Sequence, residues 1–117
     1  MSATQAVRDY RLDFLELQHR VAGGQYVDVV DYLFRVSAGT ARQIVAVGIT
    51  GQFHDPAEAL GLKKLSKEER IEAAGAWLRS RIAKGYDAFA EGPPQIIDLP
   101  PAIMEHWIEH GEIPSWL

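Results

Sequence analysis

Residues 26–50 have the sequence YVDVVDYLFRVSAGTARQIVAVGIT, and no other segment constrains the architecture as strongly. Residues 26–36 are rich in β-branched and aromatic side chains and alternate between two faces, which is typical of a strand. Ala38–Gly39–Thr40 supplies a turn. Residues 42–50 are apolar on both faces after their first two residues, as in a strand buried on both sides. We predict a β-hairpin over about 26–50; a helix through residues 26–34 is the alternative.

Residues 3–22 fit two structures. A set of apolar residues recurs at helical spacing, and Gly23 follows as a suitable helix end. The alternative is a strand with Tyr10, Leu12 and Phe14 on one face, but its alternation breaks at Phe14–Leu15. The sequence therefore favours a helix here and leaves the strand open. The residues at helical spacing are Val7, Tyr10, Phe14, Leu17 and Val21.

Residues 66–84 carry the clearest helical pattern. Ser66 is a favourable N-cap, and Glu69 three residues later completes a capping box. Basic residues gather in the last turns, where the helix dipole favours cations, and Gly85 is the expected end.

The C-terminal region is divided by prolines. Residues 95–99 form a short apolar piece that we predict as a strand. Pro101 suits the first turn of a last helix, which extends to about His110 and ends at Gly111.

These elements predict one α+β domain over residues 1–117. We expect a small antiparallel β-sheet, the hairpin at about 26–50 with an optional third strand, covered by two or three helices. Two strands alone are marginal in water. A third strand would come from residues 10–21, from residues 95–99, or from a second copy of the chain. The last possibility predicts a homodimer joined through a sheet edge.

Composition excludes several classes. The chain has 117 residues, 47% of them hydrophobic and 24% charged, which are globular values. It has no cysteine, so disulfide frameworks, thiolate metal sites and catalytic thiols are excluded. No apolar run approaches the length of a membrane span, and the N-terminal residues lack the pattern of a signal peptide. We therefore expect a cytoplasmic protein without a membrane partner.

Charge is unevenly distributed along the chain. The formal net charge is −4, which argues against a protein that coats nucleic acid. Residues 63–84 nevertheless contain seven Lys and Arg against three Glu, whereas residues 85–117 contain six acidic residues and no Lys or Arg. A basic helix at 63–84 that meets phosphates is one functional alternative. The other alternative is a solvated helix face whose charges complement the acidic C-terminal segment. We favour this second interpretation because three glutamates dilute the basic face and no aromatic residues interleave on it, as a single-strand binder would need.

His106 and His110 form the sharpest chemical motif. They stand four residues apart on the predicted last helix, so both imidazoles project from one face, as in a metal site. The metalloprotease pattern is absent because Trp107 follows His106. Glu105 and Glu109 offer oxygen ligands or a base, and His54 with Asp55 would supply further ligands if that loop packs beside the last helix. A metal-binding domain or metal-dependent enzyme is therefore a second functional alternative.

Catalytic and cofactor motifs are missing from the sequence. The glycines at residues 48–51 follow a predicted strand but match neither a phosphate-binding loop nor a dinucleotide fingerprint. No serine has the surroundings of a nucleophile. We therefore predict no cofactor and lean against an enzyme.

Three tryptophans stand out in so short a chain. Trp77 lies on the predicted helix 66–84 and suits the core. Trp107 and Trp116 are candidate partner-binding residues, because tryptophan is enriched at interface hot spots. Our principal prediction is a small protein-interaction module that self-associates through a sheet edge and this C-terminal segment.

Overall fold

The computed structural model describes residues 9–54 and 65–116 and shows a four-stranded sheet with two helices. The strands are β1 (Arg11–Ala22), β2 (Gln25–Ala38), β3 (Ala41–Thr50) and β4 (Gln95–Asp98). The helical elements are a short 3-10 turn (Gly51–Phe53), α1 (Lys67–Ala83) and α2 (Pro101–His110). The α+β prediction is confirmed, and the predicted hairpin at 26–50 is present as β2 and β3.

The sheet is larger than predicted and mixed. Its strands lie in the order β1–β2–β3–β4. The first three form an antiparallel meander, whereas β4 pairs in parallel with β3. Parallel neighbours need a long crossover, and here the chain between them contains α1. The prediction of a purely antiparallel sheet is therefore wrong, because β4 returns to the sheet after that crossover.

The helix predicted over residues 3–22 is wrong for residues 11–22, which form strand β1. Residues 3–8 lie outside the described part of the chain. Leu15 is an extra residue in the pairing of β1 with β2, which makes a β-bulge. Phe14 and Leu17 consequently both pack against the core although they are three residues apart. The bulge thus places two core-facing residues three positions apart, a spacing that is also typical of a helix.

The edges of the sheet resist pairing with another chain. β1 is interrupted by register shifts at two places and carries the charged residues Arg11 and Asp13. β4 has only four residues and lies between Pro93–Pro94 and Pro100–Pro101. Bulges, charges, prolines and short length all discourage edge-to-edge association. The homodimer was predicted because the sequence left the sheet without an assigned third strand. The chain supplies four strands of its own, so that reason for a homodimer no longer holds.

Both helices pack on one face of the sheet, where the apolar side chains of the strands and helices form one core cluster. The largest fully buried side chains in it are Tyr32, Phe53, Ile49, Leu78, Leu99, Met104, Val36, Val45 and Val47. Within residues 9–54 and 65–116, no helix has the length and apolar run needed to cross a membrane.

The predicted helix boundaries hold. The Ser66 hydroxyl accepts a hydrogen bond from the Glu69 backbone N–H, and the Glu69 carboxylate accepts one from the Ser66 backbone N–H. This capping box satisfies two donors at the start of α1. At the end of α2, Gly111 has a φ of 70°, a left-handed conformation that glycine adopts without strain.

The Gly75→Ala substitution is expected to raise the free energy of unfolding by about 1 kcal/mol, because glycine is a poor residue inside a helix. An added Cβ would meet only the Phe34 ring, at 3.7 Å, which is an ordinary contact. Urea denaturation of the variant checks this. Gly85→Ala is the matched control and should destabilise, since Gly85 has a φ of +104°. Loss of stability in Gly75→Ala would contradict the packing described here.

Candidate functional site

The two histidines predicted as metal ligands lie together on α2. The ring centroids of His106 and His110 are 4.4 Å apart. His106 Nδ1 lies 3.0 Å from the backbone oxygen of Glu112, and His110 Nε2 lies 3.7 Å from Glu109 Oε2. The four-residue spacing has brought the imidazoles together, and metal binding by them stays a prediction.

No third ligand joins this pair in the described part of the chain. Residues 9–54 and 65–116 contain no group of three or more His, Asp or Glu side chains placed to hold a metal ion. His54, considered from the sequence as a further ligand, is bonded instead to Tyr32 and to the Thr50 carbonyl. Its neighbour Asp55 lies outside the described residues.

The three tryptophans occupy different environments. Trp77 is buried on α1, and its indole N–H donates to the Asp98 carbonyl oxygen at 3.1 Å. Trp107 is half-buried and packs against the core. Trp116 is 75% exposed. Of the two candidate partner-binding tryptophans, only Trp116 presents most of its ring to solvent.

An apolar groove of about 680 Å³ opens between β1, β2 and the two helices. Its apolar wall includes residues of both strands and both helices, and Gly111 after α2 also lines it. Glu69, Glu72 and Arg79 add polar groups to its lining. The chief apolar lining residues are Leu12, Phe14, Phe34, Ile71, Trp107 and Ile108. A concavity of this size and character is suited to an apolar side chain or short segment.

The segment after α2 holds Trp116 in its exposed position. Ile113 packs against the core and Pro114 is buried, whereas Ser115 and Trp116 are exposed. Gly111, which lines the groove, precedes Trp116 by five residues.

The arginines of the predicted basic helix contact the protein itself. Arg70 Nε donates to the Tyr32 hydroxyl at 2.7 Å. The guanidinium carbons of Arg79 and Arg81 lie 5.7 Å and 4.6 Å from the ring centroids of Tyr10 and Trp77. At these distances the positive charges of Arg79 and Arg81 make cation–π contacts with the two rings. Lys63 and Lys64, which belonged to the same predicted basic region, lie outside the described residues.

A network of hydrogen-bonded polar groups joins β2, α1 and the end of the 3-10 turn. The Tyr32 hydroxyl accepts from Arg70 and lies 2.9 Å from His54 Nε2. His54 Nδ1 lies 3.1 Å from the Thr50 carbonyl oxygen, which can only accept, so Nδ1 carries the proton. Nε2 of neutral His54 is then the acceptor for the Tyr32 O–H. This arrangement of donors and acceptors favours neutral His54.

Burial lowers the pKa of His54 below its usual value, and the positive charge of Arg70 lowers it further. The Thr50 carbonyl and the charge of Asp28 act in the opposite direction, while His19 adds to the lowering. Burial also raises the pKa of Tyr32, against the effect of its hydrogen bond from Arg70. The side chains of His54 and Tyr32 are therefore both uncharged near neutral pH.

A second polar cluster lies on the sheet face opposite the helices. Arg20 Nη2 lies 2.6 Å from Asp31 Oδ1, and Arg20 Nε lies 3.2 Å from Asp31 Oδ2. The same Nη2 lies 2.8 Å from Asp98 Oδ1. These bonds raise the pKa of Arg20, with the Asp31 hydrogen bond as the chief cause. Asp31 alternates with apolar residues along β2, yet its side chain is only 7% exposed.

Sequence reasoning did not find either polar cluster. Their members are far apart in the chain, as with Tyr32 and Arg70, and no motif links them. The one available signal was Gly48 in the middle of a β-branched strand, because an interior strand glycine often marks a close approach by another group. Comparison with family models, with curated proteins and with solved structures finds no match for this chain.

Proposed function

We propose that this chain is a small protein-interaction module that self-associates, with Trp116 of one copy seated in the groove of a second copy. The observation that carries the proposal is the exposed indole of Trp116, 75% accessible, in a chain whose apolar groove is lined by Gly111, five residues earlier. An exposed tryptophan on an anchored segment is typical of a binding hot spot.

Trp116 follows a groove residue closely in the sequence, which suits a symmetric dimer. In a two-fold interface the same surface of each copy faces the other, so a protruding group and its receiving site must both belong to that surface. Gly111 lies in the groove lining, and Trp116 follows five residues later. Two copies related by a two-fold axis can therefore exchange their tryptophans reciprocally.

The groove has the size and chemistry for this occupant. Its volume of about 680 Å³ exceeds that of one indole, and Trp107 and Phe14 offer aromatic surfaces to it. Burying a tryptophan removes roughly 150–250 Å² from water and allows offset or edge-on ring contacts. Arg79 in the lining can also contact the face of an entering indole.

Replacing Trp116 by serine is expected to raise the dimer dissociation constant about tenfold or more, the scale of a hot-spot truncation. Sedimentation equilibrium of the full chain over a wide concentration range measures this. Ala76→Glu, which places a charge on the α1 wall of the groove, should weaken the dimer similarly.

Tyr26→Ser is the matched control for that experiment. Tyr26 is 79% exposed and lines a different concavity beside Arg20, so its loss should leave the dimer unchanged. A chain that stays monomeric at every concentration would overturn the proposal. Equal weakening by Tyr26→Ser and Trp116→Ser would also contradict it, because the groove would then have no special part.

A further inference from the structure

We propose that His106 and His110 form a binding site for one divalent transition-metal ion, with an imidazole nitrogen of each ring as ligand. This site does not depend on the proposed self-association. The two rings lie one helical turn apart on α2 with centroids 4.4 Å from each other. A metal ion about 2.0–2.1 Å from each nitrogen can bridge rings at this separation after a small side-chain rotation.

His106 is oriented as a ligand by the end of its own helix. Gly111 adopts a φ of 70°, which turns the chain back so that the Glu112 carbonyl oxygen lies 3.0 Å from His106 Nδ1. A carbonyl can only accept, so Nδ1 carries the proton and Nε2 of the neutral ring keeps a free lone pair. Metal-binding histidines are commonly held by this kind of bond to a backbone carbonyl.

His110 has the freedom to complete the pair. Its side chain is 55% exposed, and its nearest charged neighbour is the Glu109 carboxylate, 3.7 Å from Nε2. Solvent therefore gives the ring room to turn toward His106. Both residues lie on a regular helix, which fixes the separation of their backbones.

The surrounding charge favours a cation. Residues 85–117 contain six acidic residues and no Lys or Arg, and Glu105 and Glu109 lie on α2 itself. A negative local field raises the concentration of divalent cations near the site, although salt screens the effect.

The ligand set selects the kind of metal. Imidazole nitrogen suits Zn²⁺, Ni²⁺ and Cu²⁺, whereas Mg²⁺ and Ca²⁺ require oxygen ligands. With two protein ligands, water fills the remaining positions, so the ion should exchange readily. We expect an exchangeable site of moderate affinity, unlike a closed structural zinc site.

Isothermal titration calorimetry of the full chain with NiCl₂ and with ZnCl₂ tests the site. We expect one ion per chain, with MgCl₂ giving no binding. His110→Ala removes one of two linked ligands and should weaken Ni²⁺ binding on the order of a hundredfold. His110 is exposed, so the variant should fold, as circular dichroism will show.

His19→Ala is the matched control, since it removes an exposed imidazole elsewhere and should leave Ni²⁺ binding unchanged. In NMR spectra, a paramagnetic Ni²⁺ ion should broaden the His106 and His110 ring signals before those of His19. Unchanged affinity in His110→Ala, or equal broadening of all three rings, would overturn the proposal.

Discussion

Replacing Arg20 by methionine is expected to lower the free energy of unfolding by about 3 kcal/mol, the cost of leaving a nearly buried carboxylate without its partner. Methionine keeps much of the aliphatic length of Arg20 but removes its charge. Asp31, whose side chain is 7% exposed, would then lose both hydrogen bonds from the guanidinium. Urea denaturation with a constant m-value measures the change.

Asp98→Asn is the matched control for Arg20→Met. Asp98 contacts the same Nη2 of Arg20, but its side chain is 66% exposed. An exposed ion pair contributes only about 0–1 kcal/mol, so this variant should be nearly as stable as the parent. Equal small effects of Arg20→Met and Asp98→Asn would contradict a stabilising role for the ion pair of buried Asp31.

A double variant separates the lost charge pair from lost packing. In Arg20→Met with Asp31→Leu, no charge is left buried, so much of the stability should return. A double variant as unstable as Arg20→Met alone would show that the aliphatic packing of Arg20, and not its charge, stabilises the sheet.

Gly48 makes this ion pair possible. A Cβ on Gly48 would overlap Arg20 Nη2 and Asp98 Oδ1. In the sheet register Asp31 lies opposite Gly48, and Gly48 lies opposite Asp98. The guanidinium thus spans the bare backbone of β3 and links β1 to the two strands on either side. Glycine ordinarily weakens a strand, but position 48 requires it because the Arg20 guanidinium lies against the backbone there.

Local patterns in the sequence predicted the elements whose causes are local. The capping box at Ser66 and Glu69 fixed the start of α1, and Pro101 and Gly111 bounded α2. The hairpin followed from β-branched residues and a turn. Each depends on neighbours within a few residues, so its signal is present in a short window of sequence.

The features that sequence missed depend on contacts between distant segments. Leu15 is an extra residue only because β2 is there to pair with β1, so its bulge was mistaken for helical spacing. Asp31 alternates with apolar residues like a solvated side chain, and only the arrival of Arg20 from another strand makes its burial tolerable. The histidine pair was found because both members lie on one helix.

Removing the Tyr32 hydroxyl by Tyr32→Phe is expected to lower the free energy of unfolding by about 2 kcal/mol. The charged donor Arg70 and the acceptor His54 would both lose this hydroxyl as their common partner. The ring is fully buried and phenylalanine fills the same space, so packing changes little. Arg70 keeps its bond to the Leu65 carbonyl, which limits the loss. Tyr26→Phe, at a residue 79% exposed, is the matched control and should be neutral. Equal stability of the two variants would contradict a stabilising role for the Tyr32 hydroxyl.

The same network should make the fold sensitive to acid through His54. Because its folded pKa lies below the ordinary value of about 6.5, the unfolded chain binds the proton first as pH falls. Stability from neutral His54 is therefore present above pH 6.5 and declines by up to about 1.4 kcal/mol per unit down to the folded pKa. His54→Gln keeps an acceptor for Tyr32 without a titrating group, so its unfolding free energy should fall less between neutral and mildly acidic pH. Parallel pH profiles of His54→Gln and the parent chain would contradict this, because the acid sensitivity would then arise from other groups.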